Sequence, residues 1–251
     1  YNQHNLVNIL LYGKIGSGKR TIVNAFIKHL YNLDNLSITM RETTIKINNN
    51  SLKIVYLESL YHYEINLYEY GLYDKDILTE FVKMIISSKN VLTNSFKIIF
   101  LNNFHKITKN CQYALKTILE KYNESARFIV CSNSLTKLDS AIKSRFFCIR
   151  VPFPKPEEIK LYLSHLGITK KQDTILKNLN MNLYNLEINI NYPNFINPIS
   201  IYIKEIESLL NKKTIQLENI RIIIYKLHLL NYDTNLLIKE YLKYCIVNKK
   251  F

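Results

Sequence analysis

An α/β protein with a parallel, doubly wound sheet, followed by smaller helical units, is what this sequence predicts on three observations. A glycine loop, Gly13-Lys14-Ile15-Gly16-Ser17-Gly18-Lys19-Arg20-Thr21, lies between an apolar run and a helical pattern, the strand, loop and helix order that cradles phosphates. Short apolar strands alternate with helical periodicity as far as Val151, which builds a sheet with helices on its faces and ligands at the carboxyl ends of its strands. Pro152, Pro154 and Pro156 then end the pattern, because alternate prolines disfavour both helix and central strand.

In chain order, residues 6–12 read as a buried strand and 19–31 as a helix with Ile22, Phe26 and Leu30 on one face. The stretch 43–57 reads as two strands around an Asn48-Asn49-Asn50-Ser51 turn, with a further strand at 61–67. A helix over about 74–88 turns Ile77, Phe81, Met84 and Ile85 inward and Lys83 outward. Residues 96–101 suit a buried parallel strand. Thr108 is the expected N-cap of a helix in which Cys111, Ala114, Leu115, Ile118, Leu119 and Tyr122 recur at helical spacing, leaving Lys109, Gln112 and Lys116 on the other face. Residues 127–132 and 147–151 are strands on either side of a short helix at 139–143. The predicted domains are therefore 1–151, a phosphate-binding domain; 152–190, a small helical unit; and 191–251, with helices over about 199–210, 214–230 and 234–247. No internal repeat is seen.

At 251 residues and 47% hydrophobic, the chain is long and apolar enough for more than one compact unit. Its 34 Lys and Arg against 20 Asp and Glu leave a formal charge of +14, which favours a polyanionic partner such as nucleic acid. Part of that excess is compositional, because Asn, Ile, Lys and Tyr are all abundant and all have A/T-rich codons. An A/T-rich genome, that of a parasite or a large DNA virus, is the expected source. Cys111, Cys131, Cys148 and Cys245 are scattered without zinc or redox spacing, so reduced thiols in an intracellular protein are expected. There is no signal-peptide pattern and no apolar run long enough to span a bilayer, so a soluble protein without a membrane partner is expected. The first residue is Tyr1 rather than Met, and an original N-terminal segment is expected to be missing.

The loop carries the chemistry. Gly13, Gly18 and Lys19 match the P-loop spacing, with Gly16 and Ser17 between them and Thr21 beyond, but Arg20 occupies the slot where Ser or Thr would hold magnesium. Glycines of this kind also make plain turns between a strand and a helix. Against that stands Lys19 at the helix start, a cation that would add to the positive end of the helix dipole unless an anion sits there. A hydrolytic site further needs two acids after a later strand, one for the magnesium shell and one for the attacking water. Here that strand is followed by Asn102 and Asn103. An amide neither holds magnesium by charge nor draws a proton from water. Phosphate binding without hydrolysis, with magnesium weak or absent, is the expectation.

Several segments together carry a family resemblance. Leu10-Leu11-Tyr12-Gly13 with Gly18-Lys19-Arg20-Thr21, Tyr61-His62-Tyr63-Glu64-Ile65, the helix ending Leu119-Glu120-Lys121-Tyr122, and Ile142-Lys143-Ser144-Arg145 with Arg150-Val151-Pro152 resemble a small subunit of replication factor C. This is the eukaryotic sliding-clamp loader, a pentamer of AAA+ proteins. The likeness is greatest to the small subunit whose loop reads Gly-Lys-Lys-Thr and which is regarded as poorly active or inactive in ATP hydrolysis, and it covers most of residues 5–167.

The resemblance implies an AAA+ P-loop domain with a parallel sheet, a helical lid at 152–190 and an all-helical collar at 191–251, shorter than the family's. ATP or ADP would occupy the loop. Asn133 matches the sensor that reads the terminal phosphate, although a polar residue after a strand is often only a turn former. Arg145 matches the arginine finger offered to a neighbouring subunit's nucleotide. Tyr184 stands where the family places the second sensor arginine. Lys83 and Lys116 match helix positions that face duplex phosphates, a role that solvated surface lysines of amphipathic helices often lack. Implied partners are the other subunits of a heteropentamer, a PCNA-like sliding clamp and primer-template DNA, in the nucleus or, for a viral protein, in the viral replication compartment. The competing readings are a stand-alone P-loop NTPase or kinase, and a nucleotide-free scaffold subunit.

Overall fold

Seven strands pair into one sheet: β1 (Ile9–Tyr12), β2 (Thr39–Ile47), β3 (Asn50–Glu58), β4 (His62–Ile65), β5 (Lys97–Leu101), β6 (Ala126–Ser132) and β7 (Phe147–Arg150), in the order β2-β3-β4-β5-β6-β1-β7. The computed structural model describes residues 6–47, 50–88, 96–168, 172–178, 183, 186, 190, 198–210, 217–229 and 234–247. Strands β4, β5, β6, β1 and β7 run parallel, and β2 and β3 form an antiparallel hairpin on the β4 edge. From β1 the chain builds β4, β5 and β6 on one side and β7 on the other, so the strand order reverses at β1. The carboxyl end of β1 is thus the crevice where ligands of such sheets bind.

Alternation along β5 shows how the sheet is buried on both faces. Ile98 and Phe100 join Val23 and Ile27 of α1 (Lys19–Leu30), whereas Ile99 and Leu101 join Ile77, Phe81 and Ile85 of α2 (Asp74–Ser87) and Leu115 and Ile118 of α3 (Lys109–Lys121). The expected sheet with helices on its faces is therefore present. Lys97, the charged start of β5, is buried and its ammonium donates to the Ile85 and Ser88 carbonyls and the Ser88 hydroxyl.

Helix starts follow their caps. The Thr108 hydroxyl accepts from the Cys111 N–H at 3.2 Å, as expected, and the Asp139 carboxylate accepts from the Ala141 N–H at 2.8 Å to open α4 (Ser140–Lys143). Asp74 is buried at 1% exposure and accepts from the Thr108 N–H at 2.7 Å and hydroxyl at 2.8 Å, tying the start of α2 to the cap of α3.

Four expectations need correction. The inward stripe of α1 is Val23 and Ile27, with Phe26 and Leu30 half-buried, while Ile22 is 44% exposed; the helix is turned so that the sheet meets the intervening row. Strand β2 begins at Thr39 rather than 43, because its partner β3 runs on to Glu58 and supplies the ladder. The strand expected at 61–67 ends at Ile65, and Leu67–Tyr73 is a 3-10 helix kinked at Gly71, whose φ is 56°. Gln112 is not on a solvated face but 5% exposed, its amide donating to the Lys137 carbonyl and accepting from the Asp139 N–H. Asn48 and Asn49 of the predicted turn lie outside the described residues.

The chain divides into two compact units. The first comprises residues 1–159 and 181–184, the second 160–180 and 185–251. α5 (Pro156–His165) begins in the first and continues in the second, which also holds α6 (Gln172–Asn178), α7 (Pro198–Leu210), α8 (Leu217–Leu229) and α9 (Thr234–Val247). There Ile203 and Ile223 form a small core with Tyr202, Ile206, Leu209, Leu237, Tyr241 and Tyr244.

Candidate nucleotide-binding site

The glycine loop is held between the strands that flank β1. The Gly13 N–H donates to the Ser132 carbonyl at 3.2 Å, and the Val151 N–H donates to the Tyr12 carbonyl at 2.7 Å. A Cβ on Gly13 would lie 2.0 Å from the Val151 carbonyl oxygen, so only glycine fits there. Gly16 and Gly18 have φ of 74° and 82°, the left-handed region that favours glycine. The loop also receives the Leu183 N–H, which donates to the Gly16 carbonyl at 2.9 Å.

Helix α1 starts at the end of this loop without a capping side chain and with no acid in its first turn. Its first N–H groups have no intrahelical acceptor, and together with the helix dipole they suit an anion. Ser17 Oγ is buried and has no hydrogen-bond partner among the described residues, so a bound ligand can supply one. Lys19 Nζ donates to the Gly13 and Lys14 carbonyls at 2.7 and 2.8 Å, leaving its third donor for an anion. Burial pulls the Lys19 pKa down from its ordinary value; an entering phosphate would act in the opposite sense. These features fit the polyphosphate of a nucleotide.

They do not fit magnesium. Arg20 Nε and Nη2 both donate to Glu64 Oε2, at 3.1 and 2.9 Å, so the position of the missing hydroxyl ligand is filled by a guanidinium engaged with a carboxylate. Glu64 comes from β4, where it stands opposite Phe100 of β5, and is 5% exposed. Burial raises its pKa, and the charge and hydrogen bonds of Arg20 oppose the rise. The amides after β5 are spent on the scaffold. Asn102 Oδ1 accepts from the Asn103 N–H at 2.9 Å, while Asn103 Nδ2 donates to Asn66 Oδ1 at 3.4 Å.

The other predicted residues divide between this site and elsewhere. Thr21 lies in the first turn of α1 and is exposed. Asn133, just past β6, packs on the turn after β5: its N–H donates to His105 Nδ1 at 3.3 Å, and its Nδ2 lies 2.9 Å from His105 Nε2. Arg145, after α4, donates to the Ala141 carbonyl at 2.8 Å and to Glu120 Oε1 at 2.5 Å. Lys83 is exposed on α2 and donates to Glu80 at 2.6 Å, which raises its pKa. Lys116 is half-buried on α3. Tyr184 lies outside the described residues.

Sequence reasoning missed Glu64 as a site residue. A signal was present, because a carboxylate inside a strand of a sheet buried on both faces demands a cation, and Arg20 was the cation out of place in the loop.

A phosphate-cradling loop at the point where the order of a parallel sheet reverses defines a P-loop nucleotide-binding protein. The ATPase family associated with various cellular activities (AAA) matches residues 9–153, more than half of the chain, and the chain belongs to that family. Within it, the chain is similar to small subunits of replication factor C. It is 35% identical over 171 residues to the probable replication factor C subunit 3 of Dictyostelium discoideum, covering 66% of this chain and 49% of that protein. It is 34% identical over 161 residues to replication factor C subunit 3 of Homo sapiens, covering 62% and 45%. For replication factor C subunit 5 of Saccharomyces cerevisiae the identity is 31% over 169 residues, covering 63% and 48%. The chain spans about half the length of the curated relatives it matches. The resemblance stated from the motifs and the predicted AAA+ fold are thus borne out. Among the described residues no helix is long and apolar enough to cross a membrane.

Proposed function

We propose that this chain is a sliding-clamp-loader subunit that holds ATP or ADP without hydrolysing it, with magnesium weak or absent, and contributes to DNA replication through neighbouring subunits. The observation that carries the reading is the Arg20–Glu64 pair beside Asn102 and Asn103. The charge that would organise a metal and its water is cancelled inside the protein, while the loop keeps its anion-binding geometry. Asn133 then reads the phosphate end from beyond β6. Arg145 supplies the arginine finger for the next subunit's nucleotide, stabilising charge on the transferred phosphoryl group in trans. Residues 152–190 act as the lid and 191–251 as the collar of a heteropentamer. Lys83 and Lys116 grip primer-template DNA through its phosphates while a PCNA-like clamp is opened, in the nucleus or at a viral replication site.

The test has two arms. Purified alone, the chain should show negligible ATP turnover while ADP raises its melting temperature, and Lys19→Ala should remove that rise. Brisk magnesium-dependent turnover lost in Lys19→Ala would refute the non-hydrolysing reading, and an ADP-insensitive melting temperature would favour a nucleotide-free scaffold. In the assembled loader, Arg145→Ala should lower ATP hydrolysis by about a hundredfold or more at the adjoining site. An unchanged rate would remove the arginine-finger role.

A further inference from the structure

A polyphosphate is usually gripped together with a cation, most often magnesium. This site contains another. Arg20 is on the first turn of α1, next to Lys19, and its two bonds to a single oxygen of Glu64 fix the guanidinium plane while half of the side chain stays exposed, 50% against 6% for Glu64. An arginine has five N–H donors, and only Nε and Nη2 point to Glu64. The remainder of the fork is available for phosphate oxygens, which its planar geometry matches in a way that a lysine does not. Glu64 itself is buried on β4, which pairs with β5, so the anchor is part of the sheet rather than a mobile surface acid.

We propose that Arg20, positioned by Glu64, takes the place of the divalent cation, so that this site binds nucleoside diphosphates and triphosphates in their metal-free form. The inference rests on the nucleotide-binding reading above and adds to it what neutralises the phosphates. Lys19 and Arg20 together bring two fixed positive charges to the helix end. A magnesium ion would be repelled by both and would find Glu64 already occupied. Glu64 is a positioning residue that sets where the guanidinium stands and makes no contact with nucleotide.

The experiment is the affinity of the full chain for ADP, by calorimetric titration, with magnesium chloride and again with EDTA. Wild type should bind ADP at least as tightly in EDTA as in magnesium, and more weakly in magnesium to the extent that the ion sequesters the free nucleotide. Arg20→Thr, which restores a hydroxyl and releases the carboxylate, should bind at least about tenfold more weakly in EDTA than in magnesium. Glu64→Gln should weaken binding about threefold to tenfold in both conditions, measured well below its melting temperature so that only folded protein is compared. Wild-type binding that needs magnesium would overturn the proposal while leaving nucleotide binding intact. Absence of ADP binding in both conditions would remove the nucleotide reading and this inference with it. A Glu64→Gln chain of lower melting temperature and unchanged affinity would make Glu64 structural only. Should Arg20→Thr fail to fold, Arg20→Lys decides instead, since charge without the fork should cost about fivefold in EDTA, and an unchanged affinity would count against the proposal.

Discussion

The loop after β1 and the loop after β5 stand at the carboxyl ends of strands separated only by β6, yet they are built in opposite ways. The first retains everything an anion needs: positive φ at Gly16 and Gly18, an uncapped helix start and the Lys19 ammonium. In the second, the positions of two acids are amides, bonded to Asn66 and to the backbone of the same turn. The difference teaches that grip and cleavage are built from different material. Grip rests on main-chain geometry, which many side chains tolerate; cleavage rests on a few charged oxygens, which single substitutions abolish.

The largest expected effect probes the first loop. Gly13→Ala drives a methyl into the Val151 carbonyl at 2.0 Å, and because both partners are backbone the cost should be about 3 kcal/mol, read from urea unfolding. A loss under about 1 kcal/mol would mean that the loop yields, and the contrast between rigid and replaceable parts would blur.

The next effect lies on β4, which serves both loops. His62 is 0% exposed, and burial first, then the Arg20 charge, holds its pKa down to about 4 from 6.5. Between those values the unfolded chain binds a proton on this ring that the folded chain refuses. The contribution of His62 is therefore intact above pH 6.5 and is lost as pH falls toward 4, by about 3 kcal/mol over the whole window. Unfolding measured at pH 7 and pH 5 should differ by less in His62→Gln than in wild type, and an equal difference would show that the ring is protonated in the fold.

The smallest effect concerns charge outside both loops. Lys83→Ala in the assembled loader should weaken primer-template binding about twofold to threefold and lower its salt dependence slightly, since Glu80 already engages that ammonium. A tenfold loss would put Lys83 among the main contacts to DNA.

Much of this was legible in the sequence because it is local. The glycine loop, the amides Asn102 and Asn103, the Thr108 cap and the alternation of strand and helix are all set by neighbours within a few residues. What escaped depends on distant partners. The face that α1 buries is chosen by the sheet it lands on, so Val23 and Ile27 displaced the expected Ile22 row. Gln112 reads as a polar residue on an outer face, and becomes buried because the loop before α4 folds over it and needs both ends of its amide. Glu64 and Arg20 lie 44 positions apart; each is odd on its own, and only the pairing of β4 within the sheet makes them answer one another.

Under the proposed arginine-finger role, the bond between Arg145 and Glu120 has a consequence for assembly. Glu120 is on α3 and Arg145 just beyond α4, so the guanidinium is already oriented and partly dehydrated by its own chain. A side chain kept in that posture surrenders little freedom when a different anion is presented to it. What such an encounter requires is a trade of one acceptor for another.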